Sequence, residues 1–253
     1  MTPDARSRKS FWKTLNLLED WLTTGFSRKH PELEIDETVH APAADTAASD
    51  TAASVPRFVH VEGPAPVDDR PAVLAEVAAE VASCAKCGLS ANRTVTVPGE
   101  GSLHPPVMFV GEGPGAEEDR TGRPFVGAAG KYLDTWFKPI GLTRSQVFIA
   151  NCVKCRPPQN REPHPDELGA CLPYLERQIA AIKPKVICCL GRIAAQTLLG
   201  TASSLGSLRG KVHQRRGIPV VVTYHPSAVL RDKAGLRKPV WDDLQLLQRL
   251  LEQ

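Results

Sequence analysis

The sequence lacks a long hydrophobic run, and this absence limits where the protein can act. No stretch of 18 apolar residues occurs among its 253 residues, so the sequence predicts no transmembrane helix. It also lacks the features of a secretory leader, because Lys13, Glu19 and Asp20 interrupt the first apolar segment and no small-residue cleavage site follows. We therefore expect a cytoplasmic protein with no membrane partner.

A strong excess of either charge is also lacking. The net charge is +3, from 31 Lys and Arg against 28 Asp and Glu. This mild basic balance permits a nucleic-acid partner without requiring one. In a reducing compartment, the seven cysteines indicate metal ligands or free thiols rather than disulfides.

Composition divides the chain into three parts. Residues 1–30 have the pattern of an amphipathic helical extension, which is expected to dock on the body of the protein or on a protein partner. Residues 31–71 are dominated by Ala, Thr, Ser, Asp and Pro, so we interpret them as a flexible linker. Residues 72–253 carry the compact domain. The apolar residues at helical spacing in the extension are Phe11, Leu15, Leu18 and Leu22.

Four short apolar runs in the compact domain predict its fold. They are "VMFV" from residue 107, "VFIANC" from 147, "KVICCLG" from 185 and "IPVVVTY" from 218. They are rich in Val and Ile and do not alternate with polar residues, which is typical of buried parallel strands. Helical stretches follow each run. The sequence therefore predicts an α/β protein, a three-layer α/β/α sandwich with a central, mostly parallel four-stranded sheet.

Unusual chemistry follows the ends of these predicted strands. The loops there contain "GEGPG", "NCVKCRPPQNR" and "HPSAVLR". Ligands bind beyond the carboxyl ends of the strands in such folds, so we expect one shared cleft. The segment Gly111–Gly130 is both glycine-rich and acidic, whereas phosphate-binding loops are usually glycine-rich and basic. This loop is therefore not a typical phosphate-binding loop.

The cysteine spacing suits a metal site but does not identify the metal. Cys84 and Cys87 form a C-x2-C pair, and Cys155 and Cys171 lie downstream. Four such thiolates can hold zinc or an iron–sulfur cluster. Cys152 and Cys155 form a second C-x2-C pair, so zinc on that pair and the first one is also open. The two cysteines within "KVICCLG" are predicted to be buried free thiols.

Three motifs together resemble a known family. "GEGPGAEEDRTGRPFVGAAG", "NCVKCRPPQNREPHPDELGAC" and "TYHPSAVLR" resemble the family 4 uracil-DNA glycosylases, the iron–sulfur branch of the uracil-DNA glycosylase superfamily. The likeness runs from about residue 72 to residue 251 and leaves out the extension and the linker. It implies a monomeric, nucleoid-associated enzyme that hydrolyses the N-glycosidic bond of uracil in single- or double-stranded DNA. It also implies a 4Fe–4S cluster on Cys84, Cys87, Cys155 and Cys171.

The resemblance assigns roles around the flipped uracil. Phe125 would stack on the base, and Asn151 would read its N3–H and O4. His225 would donate a hydrogen bond to O2 as negative charge grows there. The backbone of Gly113 would also contact the base.

Other residues are expected to act on the sugar, the water and the DNA. Glu112 and Glu118 are the candidates for positioning water or offsetting the charge of the oxocarbenium-like sugar. Ser227 would bind a phosphate, and Leu230 or Arg231 would fill the gap left by the flipped nucleotide. Further candidates for phosphate contacts are Lys154, Arg156, Arg161, Arg209 and Arg215.

Three other functions compete with this interpretation. An iron–sulfur redox protein would not need Phe125, Asn151 and His225 at three strand ends. A dinucleotide-binding enzyme is a weak match, because "GEGPG" only loosely follows G-x-G-x-x-G. A relative that becomes covalently trapped on uracil-containing DNA would carry a basic, histidine-containing insertion after the second strand. His164 keeps this last alternative open.

Overall fold

The computed structural model describes residues 68–253. The predicted extension over residues 1–30 and residues 31–67 of the predicted linker lie outside the described residues. The first described helix, α1, spans Arg70–Ala82, with a proline in its first turn. This helix begins two residues before the domain start predicted at residue 72. Its early proline suits that start, because proline has the backbone angle that a first helical residue needs.

The described part of the chain alternates strands and helices. The strands are β1 (Glu100–Gly101), β2 (Val107–Gly111), β3 (Phe148–Asn151), β4 (Val186–Leu190), β5 (Val212–Arg215) and β6 (Ile218–Thr223). The later helices are α2 (Ala116–Thr121), α3 (Ala128–Phe137), α4 (Pro165–Ile182), α5 (Arg192–Leu199), α6 (Leu205–Leu208), α7 (Pro226–Arg231) and α8 (Lys233–Leu251). None of these helices is long and apolar enough to cross a membrane.

All six strands form one sheet in the order β1-β3-β2-β4-β6-β5. The four predicted strands are its parallel centre, whereas β1 and β5 pair antiparallel at its two edges. The predicted count of four strands is therefore too low for the described region. β1 has only two residues, and β5, "VHQR", is mostly polar and partly exposed, so neither has the long apolar pattern of a central strand.

Two hydrophobic layers cover the two faces of the sheet. Phe109 points into a cluster with Leu133 of α3 and Leu244 of α8. Its neighbour Met108 points to the other face, where it packs with Leu175 of α4 and further residues of α5. Because adjacent strand residues point to opposite faces, both sheet faces are buried by helices. This arrangement confirms the three-layer α/β/α sandwich.

The strand order places a crevice beside β2. After β2 the chain crosses to β3 on one side of it, and β4 then pairs with its other side. Parallel sheets bind ligands where the direction of winding reverses in this way. The loops after β2, β3 and β6 therefore meet above one end of the sheet.

Candidate active site

A cleft of about 470 Å³ opens where these loops meet. The predicted catalytic and uracil-binding residues all line it, as do Ser227 and Arg231, whereas Leu230 lies half-buried on α7. The predicted residues along its wall are Glu112, Gly113, Glu118, Phe125, Asn151, His225, Ser227 and Arg231. The fold thus brings together residues that are up to 119 positions apart, from Glu112 to Arg231.

Asn151 is a buried amide at the end of β3. Its side chain is 1% exposed, and its Oδ1 has no hydrogen-bond partner within residues 68–253. The adjacent position on β2 is Gly111, where an added Cβ would lie only 2.4 Å from Asn151 Oδ1 and 2.5 Å from Phe125 Cζ. A buried acceptor without a partner is costly, about 1–3 kcal/mol, so this amide is arranged to meet a ligand.

Phe125 lies across the cleft in an unusual backbone conformation. Its φ is +51°, a region that bulky side chains rarely adopt. Gly130 of α3 passes so close that a Cβ there would lie 1.9 Å from the Phe125 carbonyl oxygen. The Phe125 ring is buried and its centroid lies 5.6 Å from that of the His225 ring. The aromatic face and the imidazole therefore share one small space.

His225 is held as a neutral imidazole with a defined tautomer. It caps α7, and its Nδ1 accepts a hydrogen bond from the backbone N–H of Ser227 at 3.2 Å. Because Nδ1 accepts, we assign the ring proton to Nε2. Burial and the nearby positive charge of Arg231 together lower the pKa of His225 to about 4, against the opposing effect of Glu118. His225 is therefore neutral at pH 7 and can donate from Nε2.

The two candidate carboxylates have different surroundings. Glu118 accepts hydrogen bonds from the backbone N–H groups of Gly115 at 3.1 Å and of Val126 and Gly127 at 2.8 Å each. Its oxygens therefore connect the start of α2 to the turn before α3. This use of its lone pairs leaves it less free to bind a water than its sequence position suggests.

Glu112 is desolvated instead. Burial and the negative charge of Glu162 together raise the pKa of Glu112 to about 7, against the opposing effect of Arg192. This environment is not predictable from the sequence, because Glu162 and Arg192 come from the loop after β3 and the start of α5. Glu112 thus titrates near neutral pH.

The predicted phosphate contacts divide into two groups. Lys154 is buried, and its Nζ donates to the backbone oxygen of Asn151 at 2.9 Å and to Gln178 Oε1 at 2.7 Å. It cannot reach DNA, so its prediction is wrong. Arg209 and Arg215 are each already paired with a carboxylate, Arg209 with buried Asp243 and Arg215 with Glu176, so their contacts with phosphate stay a prediction.

Arg156 and Arg161 lie nearer to the cleft. Arg161 lines it and also binds Glu167 at 2.7 Å, and Arg156 donates to Asn160 Oδ1 at 2.8 Å. Their contacts with phosphate stay a prediction. His164 lies exposed at the start of α4, outside the residues that line the cleft.

Cys84, Cys87, Cys155 and Cys171 line a second cavity. The first two follow α1, Cys155 lies in the loop after β3, and Cys171 is on α4. Cys152 is not part of this group, because it packs against the sheet with Met108 and Val110. The alternative zinc set that includes Cys152 is therefore not brought together.

Two N–H groups point at these sulfurs. Arg93 Nη1 donates to Cys155 Sγ at 3.3 Å and to the Cys84 carbonyl oxygen at 2.7 Å, and the backbone N–H of Lys154 donates to Cys171 Sγ at 3.3 Å. Within residues 68–253, no three His, Cys, Asp or Glu side chains lie close enough to hold a single metal ion. Cys188 and Cys189 are buried free thiols on β4, as predicted.

Comparison with known proteins identifies the family of this chain. The family model of the uracil DNA glycosylase superfamily matches residues 98–245. A type-4 uracil-DNA glycosylase of Sulfurisphaera tokodaii is 48% identical over 70% of this chain and 84% of its own length. One from Pyrobaculum aerophilum is also 48% identical, over 66% of this chain and 88% of its own length. A type-5 uracil-DNA glycosylase from the same organism is 33% identical over only 52% of this chain and 65% of its own length. The chain therefore belongs to the uracil DNA glycosylase superfamily, in its type-4 branch.

Proposed function

We propose that this protein is a monofunctional DNA glycosylase that hydrolyses the N-glycosidic bond of uracil in DNA and leaves an abasic site for base excision repair. Relatives with the name type-4 uracil-DNA glycosylase are 44–48% identical to it. The observation that carries the proposal is the buried Oδ1 of Asn151, which has no hydrogen-bond partner among the described residues and lies beside Phe125 in the cleft.

Asn151 reads the edge of uracil. Its Oδ1 accepts from the N3–H of the base, and its amide group donates to O4. Cytosine presents an acceptor at N3 and a donor at C4, so both contacts would oppose like groups. Phe125 stacks on the face of the base, a contact worth roughly 1–3 kcal/mol. The nucleotide must leave the duplex to reach this cleft.

His225 stabilises the leaving group. Uracil departs as an anion, and part of its charge lies on O2. The Nε2–H of neutral His225 donates to that oxygen, and the backbone N–H of Gly113 is the second donor in this scheme. Donors that are fixed before the reaction stabilise developing charge without reorganising.

Glu112 and Glu118 divide the work on the sugar side. Glu112 positions the attacking water, because its carboxylate is desolvated and titrates near pH 7. Glu118 is the candidate for offsetting the positive charge of the sugar, and its hydrogen bonds hold the loop. This division explains why an acidic, glycine-rich loop suits the reaction: glycine backbone approaches the nucleotide and carboxylates face a cationic sugar.

The mouth of the cleft would bind the DNA backbone. Ser227 and Arg231 lie on α7 at the rim, and Leu230 is placed on the same short helix to enter the gap left by the flipped base. Arg156 and Arg161 are the remaining basic candidates. We propose that the enzyme acts as a monomer on single- or double-stranded DNA and works at the nucleoid.

We propose that the four-cysteine cavity holds a 4Fe–4S cluster. A single tetrahedral zinc would bring its sulfur ligands to about 3.8 Å from one another, since Zn–S bonds are about 2.3 Å. A cluster spreads its thiolates over several irons, so its ligands lie farther apart. The N–H groups of Arg93 and Lys154 that point at the sulfurs also suit charged thiolates. When bound, the cluster would cross-link α1, the loop after β3 and α4, and thereby fix the end of the strand that carries Asn151.

An assay on a labelled uracil-containing oligonucleotide tests this proposal. The expected result is strand breaks that form only after alkali treatment, and that Asn151→Ala and His225→Ala both weaken. A heat-stable protein–DNA band would instead indicate covalent trapping. No product and no adduct from protein that retains its cluster absorbance would contradict the glycosylase function and favour a redox role.

A further inference from the structure

The turn that carries Phe125 is held from two sides by opposite charges. On one side, Glu118 accepts from the N–H groups of Val126 and Gly127. On the other side, a cationic side chain donates hydrogen bonds to the carbonyl oxygens of Pro124 and Phe125. Because Phe125 has a positive φ, which its side chain disfavours, these contacts must over-determine the turn to keep it in place.

The cation is Arg144, which follows α3 in the chain and precedes β3. Its Nη1 donates to the Phe125 carbonyl oxygen at 3.0 Å and to Asp134 at 2.8 Å. Its Nη2 donates to the Pro124 carbonyl oxygen at 2.6 Å and to Glu100 at 2.8 Å, and its Nε donates to Glu100 at 3.3 Å. A guanidinium has five N–H donors, so all of them are used here.

Glu100 holds Arg144 in this position. It comes from the edge strand β1 and also receives two hydrogen bonds from Arg123, at 2.8 and 3.1 Å. Burial acts to raise the pKa of Glu100, but the hydrogen bonds from Arg123 and Arg144 keep it below its ordinary value. The carboxylate is therefore charged at neutral pH. β1 thus places the Glu100 carboxylate against Arg144, the arginine that holds the turn.

We propose that Arg144 is a positioning residue for base stacking: it holds the Phe125 turn so that the ring is in place before uracil enters. This inference rests on the proposed function, because it concerns the same cleft. Arg144 itself is not among the residues that line the cleft, so it acts through Phe125 rather than on the base.

Arg123 provides a matched control. It pairs with the same Glu100 carboxylate, but its hydrogen bonds do not include either carbonyl of the turn. Arg123→Gln therefore removes a partner of Glu100 and leaves the hydrogen bonds from Arg144 to the Phe125 turn in place. Arg144→Gln removes a partner of Glu100 and also the hydrogen bonds to the carbonyl oxygens of Pro124 and Phe125. Arg144→Lys keeps the charge but lacks the planar fork of donors that spans the contacts.

The test measures inhibition by free uracil and the steady-state constants on a uracil-containing single strand. We expect Arg144→Gln to raise the inhibition constant of free uracil roughly tenfold, because the stack on the base is weakened. Arg144→Lys is expected to lie between this variant and wild type, and Arg123→Gln to stay near wild type. Equal effects of Arg144→Gln and Arg123→Gln would overturn the inference.

A double-mutant cycle separates positioning from a general loss of stability. If Arg144 acts through the ring, Arg144→Gln adds little to the uracil inhibition constant once Phe125 is alanine. Full additivity of the two changes would contradict this. If Arg144→Gln does not fold, the same cycle is read with Arg144→Lys. Wild-type protein that releases no uracil would overturn the proposed function and this inference with it, whereas active wild type with unaffected Arg144 variants would overturn the inference alone.

Discussion

The uracil cleft and the four-cysteine cavity are built in opposite ways. The cleft has an open space of about 470 Å³, and the buried amide oxygen of Asn151 there has no hydrogen-bond partner in the part of the chain that the structure describes. In the cavity, N–H donors already point at Cys155 and Cys171. The first arrangement suits a ligand that enters and leaves at every turnover. The second suits a group that stays.

Lys154 connects these two regions. Its backbone N–H donates to Cys171 Sγ, and its buried Nζ donates to the backbone oxygen of Asn151. A substitution in either region can therefore affect the other region through Lys154. The difference between them should still be visible, because changes in the cleft alter base recognition and changes in the cavity alter stability.

The largest effect is expected from Asn151→Ala. This change removes both contacts with the base edge, and sites built to hydrogen-bond a ligand lose roughly a thousandfold or more in kcat/KM when the pairing is absent. Single-turnover release of uracil measures it. An unchanged melting temperature would show that the loss is confined to the cleft, and activity near wild type would contradict the assigned role.

His225→Ala should have the next largest effect. Removing one fixed donor to a developing anion lowers kcat by roughly 100-fold or more. Because neutral Asn can also donate, His225→Asn is expected to retain more activity than the alanine variant. Equal rates for both variants would argue against a hydrogen bond to O2.

The pH profile should separate the two titratable groups of the cleft. Burial raises the pKa of Glu112 to about 7, so its carboxylate forms as the pH rises through neutrality, and the rate should rise with it. The pKa of His225 is lowered to about 4, so its protonation should affect the rate only in acid. Well below the Glu112 pKa the rate should fall roughly tenfold for each pH unit. Glu112→Gln should abolish this limb, and a limb that survives the change must come from another group.

The smallest effect on the chemistry of folded protein is expected from the cysteine cavity. Cys171→Ser should lower the iron content and visible absorbance, and lower the melting temperature by roughly 10 °C. The fraction that stays folded should keep its preference for uracil over cytosine. A change in base preference without a change in stability would remove the distinction between the two regions.

The sequence predicts the centre of this molecule better than its edges. The four parallel strands could be predicted, because continuous runs rich in Val and Ile are typical of buried parallel strands. β1 and β5 are not visible, since a two-residue strand and a polar edge strand carry no such pattern. In the site, the motifs place Phe125, Asn151 and His225 at the ends of three loops, and the fold brings them into one cleft.

The supporting contacts could not be predicted in the same way. Lys154 reads as a surface charge in "NCVKCRP", and only the packing of α4 against the strand end makes it buried. Arg144 reads as an ordinary loop arginine, because its partners on β1 and in the Phe125 turn are distant in sequence. Such contacts depend on tertiary structure, and short sequence patterns do not record them.

The most direct test of the account compares base release from two DNA strands that differ at one position. One strand carries uracil there and the other cytosine, and the released base is identified by chromatography for wild type and Asn151→Ala. The account predicts that wild type releases uracil but not cytosine, and that Asn151→Ala loses uracil release while it keeps its fold and cluster absorbance. Uracil release by Asn151→Ala at the wild-type rate, or none by intact wild type, would contradict the claim that this amide recognises the base.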